Sequence, residues 1–164
     1  MKEVTAATGV KIAAPNLDGA ISGMPIRSCS GDKEEIKKLI EEVKEEVGEV
    51  LSETNEDQGV MIKADTIGGL EALRNLLSEK EVPIASASLG NVTKKDLSRL
   101  ESLKDKDEFT GVLLGFNINI PSDITEIIKL KGLKVITHPV IYKTIEDYEE
   151  YVENLKKTIQ MKDL

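Results

Sequence analysis

The residues able to do chemistry are few and scattered. His138 is the only histidine and Cys29 the only cysteine in the sequence. A catalytic nucleophile needs a base within hydrogen-bond reach, and a metal ion needs three or four converging donors. A lone thiol and a lone imidazole in distant segments supply neither, so the sequence predicts no catalytic, cofactor or metal site. No Gly-Lys-Ser/Thr run marks a phosphate-binding loop. The nearest glycine cluster, Asp65-Thr66-Ile67-Gly68-Gly69-Leu70-Glu71, falls where a strand should pass into a helix. Free backbone N–H groups there attract anions, but Asp65 and Glu71 oppose one, and capping by Asp65 or Thr66 explains the same residues. A basic spot remains: Lys94, Lys95 and Arg99. Lys95 and Arg99 are four residues apart and share a helix face, which suits either a phosphate contact or an ordinary solvated surface. Thr93 and Asp96 have the spacing of a capping box.

These residues sit in a chain whose pattern changes along its length. Residues 1–31 hold short β-like pieces, Val10–Ala14 and Met24–Cys29, separated by Pro15, Asn16, Asp18, Gly19 and Gly23. Two or three short strands bury little by themselves, so this stretch is expected to be a β remnant, the end of another domain. Residues 32–53 predict a helix with Ser30 or Asp32 as cap. Its apolar residues Ile36, Ile40, Val43, Val47 and Val50 step by three and four and form one stripe. Thr54–Gln58 reads as a polar connector, closing a linker over 32–57.

Strands and helices then alternate. Strands are predicted at Gly59–Ala64, Pro83–Leu89, Gly111–Ile120 and Leu133–Thr137. Helices are predicted at Thr66–Ser78, at Thr93–Lys104, after Pro121, and from Val140 to near the end. Short, nearly continuous apolar strands joined by helices imply a parallel sheet covered on both faces. The expected fold is a three-layer α/β/α sandwich with a four-stranded parallel sheet over residues 58–141. The last helix carries Ile141, Ile145, Tyr148, Val152, Leu155 and Ile159 as a narrow seam. At about 30 Å for twenty residues it outruns such a domain, so 142–164 is expected to be an interdomain connector.

Composition agrees with a globular α/β domain. The 164 residues are 40% hydrophobic and 3% aromatic, so Ile, Leu, Val and Ala must build the core. The net charge is −8, and much of the acidity lies in 32–53. A uniformly acidic surface repels nucleic acid, so any contact with a phosphate backbone has to be local. One cysteine permits no internal disulfide, which fits a reducing compartment. No run approaches the roughly 20 apolar residues of a membrane span. A cytoplasmic location without membrane contact is expected.

Several segments, taken in order, resemble one family. Gly59-Val60-Met61-Ile62-Lys63-Ala64-Asp65-Thr66-Ile67-Gly68-Gly69-Leu70-Glu71-Ala72-Leu73 resembles the start of the third domain of the universal initiation GTPases, bacterial initiation factor two and archaeal and eukaryotic initiation factor five-B. That family usually has Gly-Ser where this chain has Gly68-Gly69. Gly90-Asn91-Val92-Thr93-Lys94-Lys95-Asp96, Gly115-Phe116-Asn117-Ile118 and Val140-Ile141-Tyr142-Lys143 follow in the family's order. Lys2-Glu3-Val4, Gly9-Val10-Lys11-Ile12-Ala13-Ala14-Pro15 and Ile21-Ser22-Gly23 resemble the end of its second, β-barrel domain. Ile145-Glu146-Asp147-Tyr148-Glu149-Glu150-Tyr151 resembles the archaeal connector helix toward the fourth domain.

The resemblance implies a non-catalytic part of a translation initiation GTPase, relaying nucleotide state during ribosomal subunit joining. GTP and Mg2+ would belong to a G domain outside this chain, and initiator tRNA to a C-terminal domain. The implied partners are the small ribosomal subunit, with Lys94, Lys95 and Arg99 as contacts, and those two domains; the tRNA is met only indirectly. The competing reading is a flavodoxin-like domain that binds or transforms a small ligand at the carboxyl ends of its strands, near Asp65, Gly90, Asn117 and His138. A phosphoacceptor variant of it needs a third-strand aspartate, where Asn117 stands.

Overall fold

A computed structural model describes residues 9–18, 20, 23–51 and 57–162, apart from the side chains of residues 49 and 50. The motif residues Lys2-Glu3-Val4 and Ile21-Ser22, and most of the expected connector Thr54–Gln58, lie outside the described residues.

Helix α1 spans Lys33–Val50. Asp32 is its N-cap and accepts from the Glu34 N–H at 3.4 Å, while Ser30 bonds Glu35 instead. Strand β1 (Val60–Ala64) leads into α2 (Ile67–Glu79), β2 (Ile84–Leu89) into α3 (Lys94–Lys106), β3 (Val112–Phe116) into α4 (Ser122–Lys131), and β4 (Lys134–His138) into α5 (Ile141–Lys162). The sheet order is β2-β1-β3-β4 and every pairing is parallel. The four-stranded α/β/α sandwich expected from the sequence is therefore the fold.

Alternation along the strands sorts the core into two halves. Val60, Ile62 and Ala64 of β1 join Leu70, Leu73 and Leu77 of α2 and Ile145 and Tyr148 of α5 on one face. Met61 faces the other way, with Leu97, Leu100 and Leu103 of α3 and Ile124 of α4. The step from β1 to β2 runs one way with α2 on the first face. The steps to β3 and β4 run the other way with α3 and α4 on the second. All three crossovers thus share one hand, as parallel connections do.

Three expectations are corrected. Val10–Ala14 and, apart from the half-buried Pro25, Met24–Cys29 are exposed and pair with no strand among the described residues. Extended backbone becomes a strand only when a neighbour takes its N–H and C=O groups, and among the described residues none lies beside them; Arg27 instead ties this segment to α1 through Glu46 at 2.6 Å. The third strand ends at Phe116 rather than Ile120 because Asn117 turns the chain at φ +52°. The compact unit also extends beyond residue 141, since Thr144, Ile145 and Tyr148 of α5 are buried in it.

The register of β2 slips against β1. Val60 pairs with Ile84 and Met61 with Ser86, leaving Ala85 as a bulge. Gly59 permits it: at φ +131°, a Cβ there would stand 2.7 Å from both the Ala85 nitrogen and the Pro83 carbonyl oxygen. The bulge turns both Ala85 and Ser86 toward α3.

Candidate functional site

The start of α3 is held by a reciprocal cap. The Thr93 N–H donates to Asp96 Oδ2 at 2.8 Å, and the Asp96 N–H donates to Thr93 Oγ1 at 3.3 Å. The expected capping box is present, with Asp in the position usually held by Glu.

Beneath this cap lies a charge that periodicity alone does not announce. Lys63, in the middle of β1, is 3% exposed. Its ammonium donates to Ser88 Oγ and Asp96 Oδ2, both at 3.0 Å. Burial pushes the Asp96 carboxyl up, but the bonds from Lys63 and Thr93 outweigh it, and the group is held below the usual aspartate range. Asp96 therefore closes the cap and neutralises the buried lysine together. The available signal was a lysine inside the otherwise apolar run Val60–Ala64, because a strand covered on both faces has no polar side on which to place it.

Between the edge strand β2 and α3 is a cavity of about 150 Å3 lined by Lys63, Ser86, Ser88, Lys95, Asp96 and Arg99, with Met61 and Ala87 as its floor. It exists because β2 offers only small side chains, Ala-Ser-Ala-Ser, opposite the long side chains of α3. Two of the three expected contact residues come together here. Lys95 is exposed at the mouth, and Arg99 is half-buried and donates from a guanidinium nitrogen to the Ala85 carbonyl oxygen at 2.9 Å. Arg99 thus ties α3 to the bulge on this edge strand. Lys94 does not join them; it is exposed and lies 4.0 Å from Asp123 of α4.

The carboxyl ends of β1 and β3 form the topological switch point, where α/β sheets receive ligands. Here they are knitted together. Asn117 Nδ2 donates to Asp65 Oδ2 at 2.6 Å, and its backbone N–H donates to the His138 carbonyl at 3.0 Å. The Gly90 N–H donates to the Ala64 carbonyl at 2.9 Å, and His138 Nδ1 accepts from the Val140 N–H at 3.1 Å. Phe116 lies against Gly69, where a Cβ would stand 2.8 Å from the ring. Thr66 caps α2 by accepting from the Gly69 N–H at 3.1 Å. Asp65, Gly90, Asn117 and His138 are thus occupied in holding the sheet's upper edge. Among the described residues, no group of three His, Cys, Asp or Glu side chains is placed to hold a metal ion, and no helix is long and apolar enough to cross a membrane.

Taken together, the molecule is a small α/β/α domain with a cross-linked ligand edge, a basic pocket at its flank and a long terminal helix. Residues 31–149 match the translation-initiation factor 2 family, and the chain belongs to it. It is 46% identical over 151 residues to a probable translation initiation factor IF-2 of Pyrococcus abyssi, covering 92% of this chain and 15% of that protein. A counterpart from Ignicoccus hospitalis is 40% identical over 164 residues, which is 100% of this chain and 27% of that one. The fold superposes on the crystal structure of GDP-bound aIF5B from Aeropyrum pernix with a TM-score of 0.82 and 36% identity, over 98% of this chain and 26% of that one. The chain spans about a quarter or less of the first of these relatives' length, and the resemblance to an archaeal initiation factor read from the sequence is upheld.

Proposed function

We propose that this chain is a non-catalytic spacer within a translation initiation factor. In this reading it relays the nucleotide state of a GTP-binding domain to a C-terminal domain that handles initiator tRNA, while its flank meets the small ribosomal subunit during subunit joining. Residues 1–31 would lead in from a preceding domain, 32–57 link it to the sheet domain, and the outer part of 142–164 lead to the next domain.

The observation that carries the reading is the asymmetry of α5. Its first turns are anchored by Thr144, Ile145 and Tyr148, and the Tyr148 hydroxyl donates to the Phe109 carbonyl at 3.1 Å. Beyond Val152, Leu155 is the sole half-buried residue and the remaining described side chains are exposed. A stiff rod fixed at one end and bare at the other suits mechanical coupling between neighbours. The cross-linked switch point supports the same reading, because a relay needs a body that does not yield.

Two measurements test it. Calorimetry of this chain with GTP and GDP should give no binding heat, and saturable binding would contradict the spacer role. In a factor carrying this chain, Leu155→Pro breaks α5 beyond its anchor at a cost of about 3 kcal/mol or more to helix continuity. It should leave GTP hydrolysis in place and abolish its coupling to subunit joining. Normal coupling in that variant would refute the relay.

A further inference from the structure

The pocket between β2 and α3 carries polar groups beyond those that the capping box and the bulge use, Lys95, Ser86 and Ser88 among them. Its walls carry three cations, Lys63, Lys95 and Arg99, against one carboxylate, Asp96. Two serine hydroxyls, Ser86 and Ser88, add small polar groups that both donate and accept. Lys63 uses two of its three N–H donors on Ser88 and Asp96. A buried ammonium is costly, and an apolar side chain at residue 63 would pack in β1 as its neighbours do. The lysine is fixed in place, since Asp96 is itself held by Thr93.

Each element aims a different donor at the same space. β1 supplies the ammonium, bulged β2 supplies the hydroxyls, and α3 supplies Lys95 and Arg99 four residues apart on one face. A site whose donors are preset spends little on ordering when an anion enters. The volume, about 150 Å3, accommodates a tetrahedral oxyanion with water beside it. Asp96 opposes any anion, and its charge is offset by Lys63; Lys95, exposed on α3, is placed to attract the ligand.

We propose that this pocket binds a single phosphate group, and that in the working factor the phosphate belongs to an RNA backbone. The second clause rests on the ribosome-facing role given above; the first rests on the pocket alone. Lys95 would make first contact at the mouth, with Ser86, Ser88 and the remaining Lys63 N–H closing on the oxygens inside. The acidic surface elsewhere would keep RNA from settling on the chain at random.

The experiment is an NMR titration of the chain with inorganic phosphate at low ionic strength, with chloride as control, followed by competition with a short duplex RNA and with a nucleoside monophosphate. Saturable shifts at Ser86, Ser88 and Lys95 that chloride does not reproduce are expected. Lys95→Glu, at an exposed position, should weaken phosphate by about tenfold or more through loss and reversal of a charge-assisted contact. Ser88→Ala, which keeps the Lys63–Asp96 pair, should weaken it by a smaller factor. Displacement by RNA supports the backbone source; displacement by the nucleotide but not by RNA overturns that source. Shifts absent, non-saturable, or indifferent to Lys95→Glu overturn the pocket. If small-subunit binding falls in Lys95→Glu while phosphate never binds, the pocket fails and the ribosomal reading stands. If phosphate binds and subunit association is unchanged in the variant, the pocket stands and the ribosomal reading of this face fails.

Discussion

Lys63→Met tests whether the buried ion pair holds α3 to the sheet. Methionine keeps the length and apolar stem of the lysine and removes the ammonium. Two effects oppose each other. The native protein bears the desolvation of Lys63, several kcal/mol per ion, which the variant escapes. The variant leaves the Asp96 carboxylate without its cation. Removing one partner of a fully buried pair costs about 3–5 kcal/mol. Asp96 is not fully buried: its side chain keeps 15% exposure and both bonds from Thr93. The loss should therefore resemble that of a charged hydrogen bond, about 1.5–3 kcal/mol, lowering Tm by roughly 3–12 °C. Adding Asp96→Asn removes the stranded charge and keeps an acceptor for Thr93, so the double variant should regain most of the loss. The acid limb gives an independent reading. The native Asp96 pKa lies below that of the unfolded chain, so its stabilisation is present above about pH 4 and disappears as pH falls through the native value. Lys63→Met should flatten that part of the profile. Denaturant melts from pH 7 down to pH 2 measure both arms. Equal or greater stability of the single variant, with an unchanged acid slope, would show that the pair contributes nothing net and refute the reasoning.

Other positions separate just as clearly. Lys94→Ala with Lys95→Ala should weaken small-subunit association in a sedimentation assay and leave Tm within about 1 °C, since both side chains are exposed and such sites change stability little. Gly111→Ala should prevent folding or cost about 3 kcal/mol or more, because its Cβ would stand within van der Waals overlap of the Lys104 backbone. Gly48→Ala meets nothing within 4 Å in α1 and should stabilise that helix by about 0.5–1 kcal/mol, read by circular dichroism. Burial pushes the Tyr148 phenol up to about 12. Its stabilisation is complete below the unfolded value near pH 10 and is lost as pH rises through the native one; Tyr148→Phe should remove that alkaline loss and cost about 1 kcal/mol at neutral pH.

The architecture was legible because most strands are short apolar runs and several helices carry their own start signal. Thr93 with Asp96, and Thr66 ahead of Gly69, cap the helices that the sequence assigned to them. Deviations arise where geometry depends on a partner. Asn117 ends β3 by turning left-handed and bonding Asp65, fifty-two residues earlier; an apolar run gives no warning of that. The bulge at Ala85 depends on which residue of β1 stands opposite, a matter of register. The sequence leaves Arg99 as either a phosphate contact or a solvated surface cation, and its bond to the Ala85 carbonyl follows from that unseen bulge. Lys63 left a legible mark, a charge within a doubly covered strand, but its meaning needed Ser88 and Asp96 from two other elements.

On the relay reading, the mechanics of α5 set what its neighbours must do. From Tyr148 to Lys162 the helix provides a lever of about 21 Å, so a tilt of about 10° at the anchor displaces the far end by roughly 4 Å. Stiffness along the lever comes from continuous helical hydrogen bonds and from side-chain pairs such as Glu153–Lys157 at 2.8 Å. Stiffness at the pivot comes from Ile145 and Tyr148 in the core and from the Tyr148 bond to Phe109. The two can fail separately. Leu155→Pro softens the lever and should lower the Tm of the sheet domain little, because Leu155 is only half-buried and lies beyond the anchoring residues. Tyr148→Phe loosens the pivot and should lower that Tm while α5 stays helical. If the domain passes force through α5, both variants uncouple nucleotide state from joining, despite opposite signatures in stability. If coupling follows Tm instead, α5 is merely a wall of the core, and the signal must travel by another surface.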